Sequence, residues 1–167
     1  RGARPATEAL VNEGYPVVVL RRWEDDEVSN FNSVVAELEG RAWILDLRSG
    51  AGGGAAFLAR VREWAIERLA GGETLVVWLD RYTRGQPEVF AQELSTRSEK
   101  VLVAGEKTLG YVRAPCMRSG LLSSASTVPA NLKLACELLP GADVQLESRG
   151  VVPEARTIAE TPALLSL

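Results

Sequence analysis

Residues 44–57 read ILDLRSGAGGGAAF. Ile44 to Leu47 form an apolar run broken only by Asp46, the pattern of a strand buried on both faces. Four glycines then fall within the five positions 50–54, and Ala55 opens a stretch of helical periodicity. A strand–glycine loop–helix junction has three physical explanations. An anion sits on the helix N-terminus, the loop supplies amide donors to a reaction, or the turn is simply tight.

Working outward, Thr7–Val11, Asn12-Glu13-Gly14 and Tyr15–Trp23 read as strand, turn and strand. Asp25 or Asp26 is placed to cap a helix over about residues 27–39, with Val28, Phe31, Val34, Val35 and Leu38 on one face and Gly40 ending it. Past the glycines, Phe57, Leu58, Val61, Trp64, Ala65 and Leu69 make one stripe, closed by Gly71-Gly72. TLVVWLD (74–80) and KVLVAG (100–105) are further buried strands, separated by a polar loop and a helix opening near Pro87. From Tyr111 onward YVRAPCM, NLKLACELL and VQLES read as short strands among Gly, Ser and Pro. Strand–helix repeats followed by an antiparallel tail predict an α/β sheet with helices on its faces.

The 167 residues predict one domain, 1–167, that buries roughly 70% of its unfolded surface. A composition of 46% apolar and 25% charged residues is that of a soluble globular protein, and a net charge of -3 offers no basic footprint for nucleic acid. No apolar run approaches the roughly 20 residues of a membrane span. The chain starts at Arg1 with neither Met nor a signal-like segment, as expected of a fragment or processed form. It has no histidine, which removes Ser-His and Cys-His nucleophile pairs. Cys116 and Cys136 are too few for a zinc site and are either a cross-strand disulfide or two buried thiols.

Three loops are candidates for chemistry. Gly50-Ala51-Gly52-Gly53-Gly54-Ala55 satisfies G-x-G-x-x-A, and Asp80 ends the next strand as a ribose-binding acid would. However, Asp46, Arg48 and Ser49 precede the glycines, and Asp80 lies further from them than the usual spacing of about 20 residues. GEKT (105–108) resembles the end of a phosphate-binding loop but lacks the upstream glycine, with Val101 near its place. DRYTRGQPEVF (80–90) joins a buried strand to a helix at the end of the sheet where sites collect.

Together these segments resemble the carboxy-terminal processing (tail-specific) serine peptidases. The family pattern Asp-Leu-Arg-x-x-x-Gly-Gly is matched at residues 46–53, AGEKTLG at 104–110 matches its Val-Gly-Glu-x-Thr-x-Gly segment, Leu132-Lys133-Leu134 its apolar strand, and Gly150-Val151-Val152-Pro153-Glu154 its closing Gly-Val-x-Pro-Asp. The correspondence is ordered and covers about residues 10–160. It implies a ClpP/crotonase-like spiral of strand-strand-helix units with an antiparallel C-terminal strand region, and no PDZ domain in this chain. It also implies that Gly52, Gly53 and Gln86 form the oxyanion loop or peptide cleft. The glycines would then be bare so that amides face a developing negative charge at the helix start.

The family's catalytic positions are altered. With Glu88 as anchor, the nucleophilic Ser falls on Gly85, the general-base Lys on Tyr111 and the Gln that orients it on Pro115. Without the hydroxyl there is no nucleophile, and without the amine nothing activates one. Thr83 and Lys107 flank these positions but are displaced in sequence. The resemblance thus implies a catalytically inactive homologue that binds, scaffolds or assembles, with no metal or cofactor. Its partner would be a protein or extended C-terminal peptide, a second copy or an active peptidase, in a periplasmic, secreted or envelope setting. The alternatives are an active serine-type endopeptidase with a rearranged or partner-completed site, and a dinucleotide-binding domain.

Overall fold

The computed structural model describes residues 6–12, 14–121, 129–142 and 144–154, with backbone alone for 114–121, 129–136 and 148. Five strands make the main sheet: β1 (Thr7–Asn12), β2 (Tyr15–Leu20), β4 (Ala42–Asp46), β6 (Thr74–Leu79) and β7 (Val101–Gly105), in the order β1-β2-β4-β6-β7. β1 folds back antiparallel on β2 around Gly14, with Glu13 of the expected turn outside the described residues. The other neighbours run parallel.

The apolar runs are explained by the strand period of two residues. Trp43 and Leu45 of β4 enter the large core with Val18 and Leu20 of β2, Leu75, Val77 and Leu79 of β6, and Val101 and Val103 of β7. Ile44 points to the opposite face, with Val17, Val19, Val76 and Ala104. A sheet buried on both faces needs apolar residues on both, which ILDL supplies apart from Asp46 and TLVVWL supplies apart from Thr74.

Three helices complete the large core: α1 (Val28–Ala36), α2 (Ala55–Ala70) and α3 (Gln86–Arg97). The stripe on α2 buries Phe57, Leu58, Val61, Trp64 and Ala65. Edge-to-face pairs link the elements: Trp23–Phe57 at 5.4 Å, Phe31–Trp64 at 5.8 Å and Trp43–Trp64 at 5.2 Å between centroids. Each such pair contributes about 1 kcal/mol beyond its buried area.

The remaining strands are short or peripheral. β3 (Arg22–Trp23) pairs in parallel with β5 (Ala51–Gly52), which ties the glycine loop to the chain ahead of α1. β8 (Arg113–Leu121) and β9 (Pro129–Leu138) form the antiparallel tail, with a register irregularity between Arg113 and Pro115.

Two expectations are corrected. The first helix ends at Ala36 rather than near Gly40, because its last turn tightens through the Leu38 N–H to Val35 carbonyl bond and turns Leu38 onto the core. VQLES is not a strand but part of helix α4 (Val144–Arg149). In a strand Val144 and Leu146 would share one face, whereas here Leu146 is buried and Val144 is exposed. The pairing of Cys116 and Cys136 falls on side chains outside the described residues.

The register sets where function can reside. Asp46 lies opposite Trp78, and Leu79 opposite Gly105, so the carboxyl ends of β4, β6 and β7 are level. The loops 47–54, 80–85 and 106–112 therefore emerge at one end of the sheet, the customary place for a site in a parallel sheet.

Candidate functional site

The loop after β4 is held by a buried carboxylate. Asp46 accepts from Arg21 (Nη1 to Oδ1 at 2.9 Å, Nη2 to Oδ2 at 2.8 Å) and from Arg48 (Nε to Oδ1 at 2.9 Å, Nη2 to Oδ2 at 2.8 Å). The Arg48 guanidinium also lies over the Trp78 ring, 3.3 Å from its centroid. Burial pushes the Asp46 carboxyl up, but the two arginines outweigh it and bring its pKa to about 2. A folded pKa below the unfolded one makes the ionised pair stabilising above the unfolded value, with the contribution lost as pH falls toward 2. From the ordinary 3.8 to about 2 this amounts to about 2 kcal/mol. Asp46→Asn is therefore expected to reduce the fall in unfolding free energy between pH 4 and 2 by about 2 kcal/mol, as read by urea titration, with the lowered carboxyls of Glu27 and Asp80 supplying part of what remains.

Asp80 is occupied by its own chain. Its oxygens accept from the Ser49 amide (2.8 Å) and hydroxyl (3.0 Å) and from the Tyr82 (3.0 Å) and Thr83 (2.8 Å) amides. Burial raises its pKa, and these donors more than reverse that. The group a dinucleotide site would use on ribose instead pins the 47–50 loop to the 80–83 loop.

The glycines of the opening stretch prove to have separate causes. A Cβ on Gly52, at φ +137°, would overlap the Trp23 carbonyl oxygen, because β5 runs that close to β3. Gly54 sits against the backbone of Glu24 and Asp25 and donates to the Trp23 carbonyl at 2.8 Å. The start of α2 is not open to an anion: Asp25 Oδ1 accepts from the amides of Ala56 (2.8 Å) and Phe57 (3.2 Å). This corrects the expectation that Asp25 serves α1. The helix-end anion is the protein's own carboxylate, brought there by the β3–β5 pair. Asp25→Ala is expected to cost about 1–2 kcal/mol of stability in urea denaturation.

Gly53 is different. Its nearest neighbour for an added Cβ is Leu139 Cδ2 at 3.9 Å, and its N–H has no partner among the described residues. It faces a cleft of about 470 Å³ lined also by Gly52, Arg84, Gly85, Tyr111 and Leu139. Gly85 donates its N–H to the Tyr111 carbonyl at 2.8 Å, which stitches the two loops together. The buried Glu88 carboxylate accepts from Gly85 N (3.2 Å) and Gly110 N (2.7 Å) and so fixes both from below. Burial holds the Glu88 pKa above its ordinary value, against the pull of the surrounding donors.

Residues far apart in the sequence, Gly52 with Gly53, Gly85 and Tyr111, thus meet at one place. Gln86 does not join them. As the first residue of α3 its side chain turns inward, 1% exposed, and borders a second cavity between α2 and α3, where its Oε1 has no partner among the described residues. Pro115 lies on β8 opposite Ala135. Thr83 is fully buried, its hydroxyl within 3.0 Å of the Leu47 carbonyl and of Asp80 Oδ1, and Lys107 is exposed outside the cleft lining.

The sequence matches no protein-family model and no curated protein. Solved structures do match. A photosystem II D1 C-terminal processing protease aligns with a TM-score of 0.64 at 19% identity, over 93% of this chain and 49% of that one. A candidate S41 protease from Bacteroides fragilis aligns with a TM-score of 0.53 at 14% identity, over 96% of this chain and 51% of that one. The fold is the one these proteases share. A lipoprotein from Streptococcus agalactiae has it too, with a TM-score of 0.57 at 13% identity over 97% of this chain and 70% of that one. The chain spans about half the length of the two proteases. Gly85 and Tyr111 stand in the cleft wall.

Proposed function

We propose that this chain is a catalytically inactive, peptidase-like domain whose cleft binds an extended peptide, as a binding, scaffolding or assembly unit. One observation carries the reading: among the described residues lining the cleft there is no Ser, Thr, Cys or Lys. The hydroxyl of Tyr111 is the only one there, on a side chain 62% exposed, with no histidine in the chain to take its proton. Gly53 offers an amide, and an amide by itself stabilises an oxyanion but forms no covalent bond to a substrate. Backbone pairing with an extended peptide needs no catalytic side chain, so loss of the nucleophile leaves binding intact. The partner we propose is a protein or C-terminal peptide presented in extended form, in a periplasmic, secreted or envelope setting. No helix among the described residues is long and apolar enough to cross a membrane.

A fluorophosphonate probe and a tail-peptide substrate test the inactivity. The expected result is neither stoichiometric labelling nor cleavage at any pH from 5 to 9. Covalent labelling of any hydroxyl, Thr83 included, would support the competing reading, a rearranged peptidase site.

A further inference from the structure

Among the charged residues at the cleft, Arg84 stands apart. Arg113 is held by Glu147, with Nη2 to Oε2 at 2.8 Å and a second contact from Nε to Oε1. Arg21 and Arg48 are committed to Asp46. Arg84 lines the cleft, is exposed, and has neither a hydrogen bond nor an ion pair from its side chain among the described residues. Its backbone is fixed, since the Arg84 N–H donates to the Gly50 carbonyl at 2.9 Å and the next residue is stitched to Tyr111. The guanidinium therefore hangs from a rigid anchor into the same space as the unpartnered Gly53 N–H.

We propose that Arg84, with the Gly53 amide, is a carboxylate clamp that sets which peptides the cleft accepts; the inference rests on the peptide-binding reading above. A guanidinium fork matches the two oxygens of a carboxylate, and a backbone N–H adds a donor that costs no side-chain ordering. The apolar part of the ligand lies over Tyr111 and Leu139, which line the cleft beside the two donors. Glu24 lines it as well and repels a carboxylate from its own side, which gives the bound peptide a direction. The carboxylate comes from a chain terminus or from an Asp or Glu side chain.

Fluorescence anisotropy with three versions of one fluorescein-labelled apolar hexapeptide tests this on the full chain. One has a free C-terminal acid, one a C-terminal amide, and one a C-terminal amide with a penultimate Glu. The free acid is expected to bind at least about tenfold tighter than the plain amide, a gap that narrows with added salt. Arg84→Gln is expected to close the gap by weakening the acid to the level of the amide, and Arg84→Lys to restore part of it. If the Glu peptide matches the free acid, a side-chain carboxylate satisfies the clamp; if it matches the plain amide, the clamp is specific for a chain end. Equal binding of acid and amide, or a gap that survives Arg84→Gln, overturns the clamp while peptide binding stands. No binding by any of the three overturns the peptide-binding reading and the clamp with it.

Discussion

A Gly85→Ser, Tyr111→Lys variant is expected to remain unable to form an acyl-enzyme, and to be less stable than the parent by about 2–4 kcal/mol. Under the proposed reading the two positions correspond to the family's nucleophile and base, and the substitution would supply those groups. The backbone does not receive them. Gly85 has φ +81° and ψ -135°, a conformation that L side chains rarely adopt, and an added Cβ falls 2.7 Å from the Gly52 carbonyl oxygen. Both atoms belong to segments with little freedom, since Gly52 pairs with Trp23 and Gly85 with Tyr111. A serine must therefore push the Gly52 backbone out of position. Tyr111 is 62% exposed, so a lysine there stays in water, and no desolvation lowers its pKa toward that of a useful base. The single Tyr111→Lys change is expected to alter stability by no more than about 0.5 kcal/mol. Urea denaturation and a burst assay with an activated ester read both quantities. Acylation that requires the two substitutions together would show that the loop yields and that the site is closer to active than its backbone indicates.

The glycine loop gives the second large effect, through a contrast between neighbours. Gly52→Ala places a methyl into the Trp23 carbonyl at φ +137° and is expected to cost about 3–5 kcal/mol, a sizeable share of the 5–15 kcal/mol of an ordinary domain. Gly53→Ala meets nothing closer than 3.9 Å and is expected to change stability by less than about 1 kcal/mol while placing a methyl at the cleft. Thermal and urea unfolding of the two variants separate the cause of each glycine. Equal destabilisation by both would mean that Gly53 is also confined by packing.

These cases mark how much of the molecule its sequence discloses. The parallel strands were legible because burial on both faces leaves an unbroken apolar run, and α2 because six apolar positions recur at helical spacing over sixteen residues. VQLES was misread because a stretch that short matches either period, and only the burial of Leu146 without Val144 distinguishes them. The role of Asp25 was out of reach for a different reason. An Asp followed by a helical stretch is a local capping signal, yet this carboxylate caps a helix 31 residues further on, through a pairing of β3 with β5 that only two residues on each side encode. At the site, Gly52, Gly53, Gly85 and Tyr111 line one cleft, since loops at the carboxyl ends of adjacent parallel strands must converge. The inward turn of Gln86 and the Arg84 guanidinium, unpaired among the described residues, depend on side-chain direction at a helix start and on which arginine is paired. A residue sequence does not carry either fact.

The central claim is that a cleft without a nucleophile still receives an extended peptide. Backbone amide chemical shifts of the isotopically labelled protein, followed while unlabelled apolar peptides with free C-termini are added, test it most directly. The account predicts saturable shifts concentrated at Gly52, Gly53, Arg84, Gly85 and Tyr111, with Leu58 and Glu93 beside the second cavity unmoved. Shifts absent from the first set across a panel of such peptides, or confined to the second cavity, would contradict it.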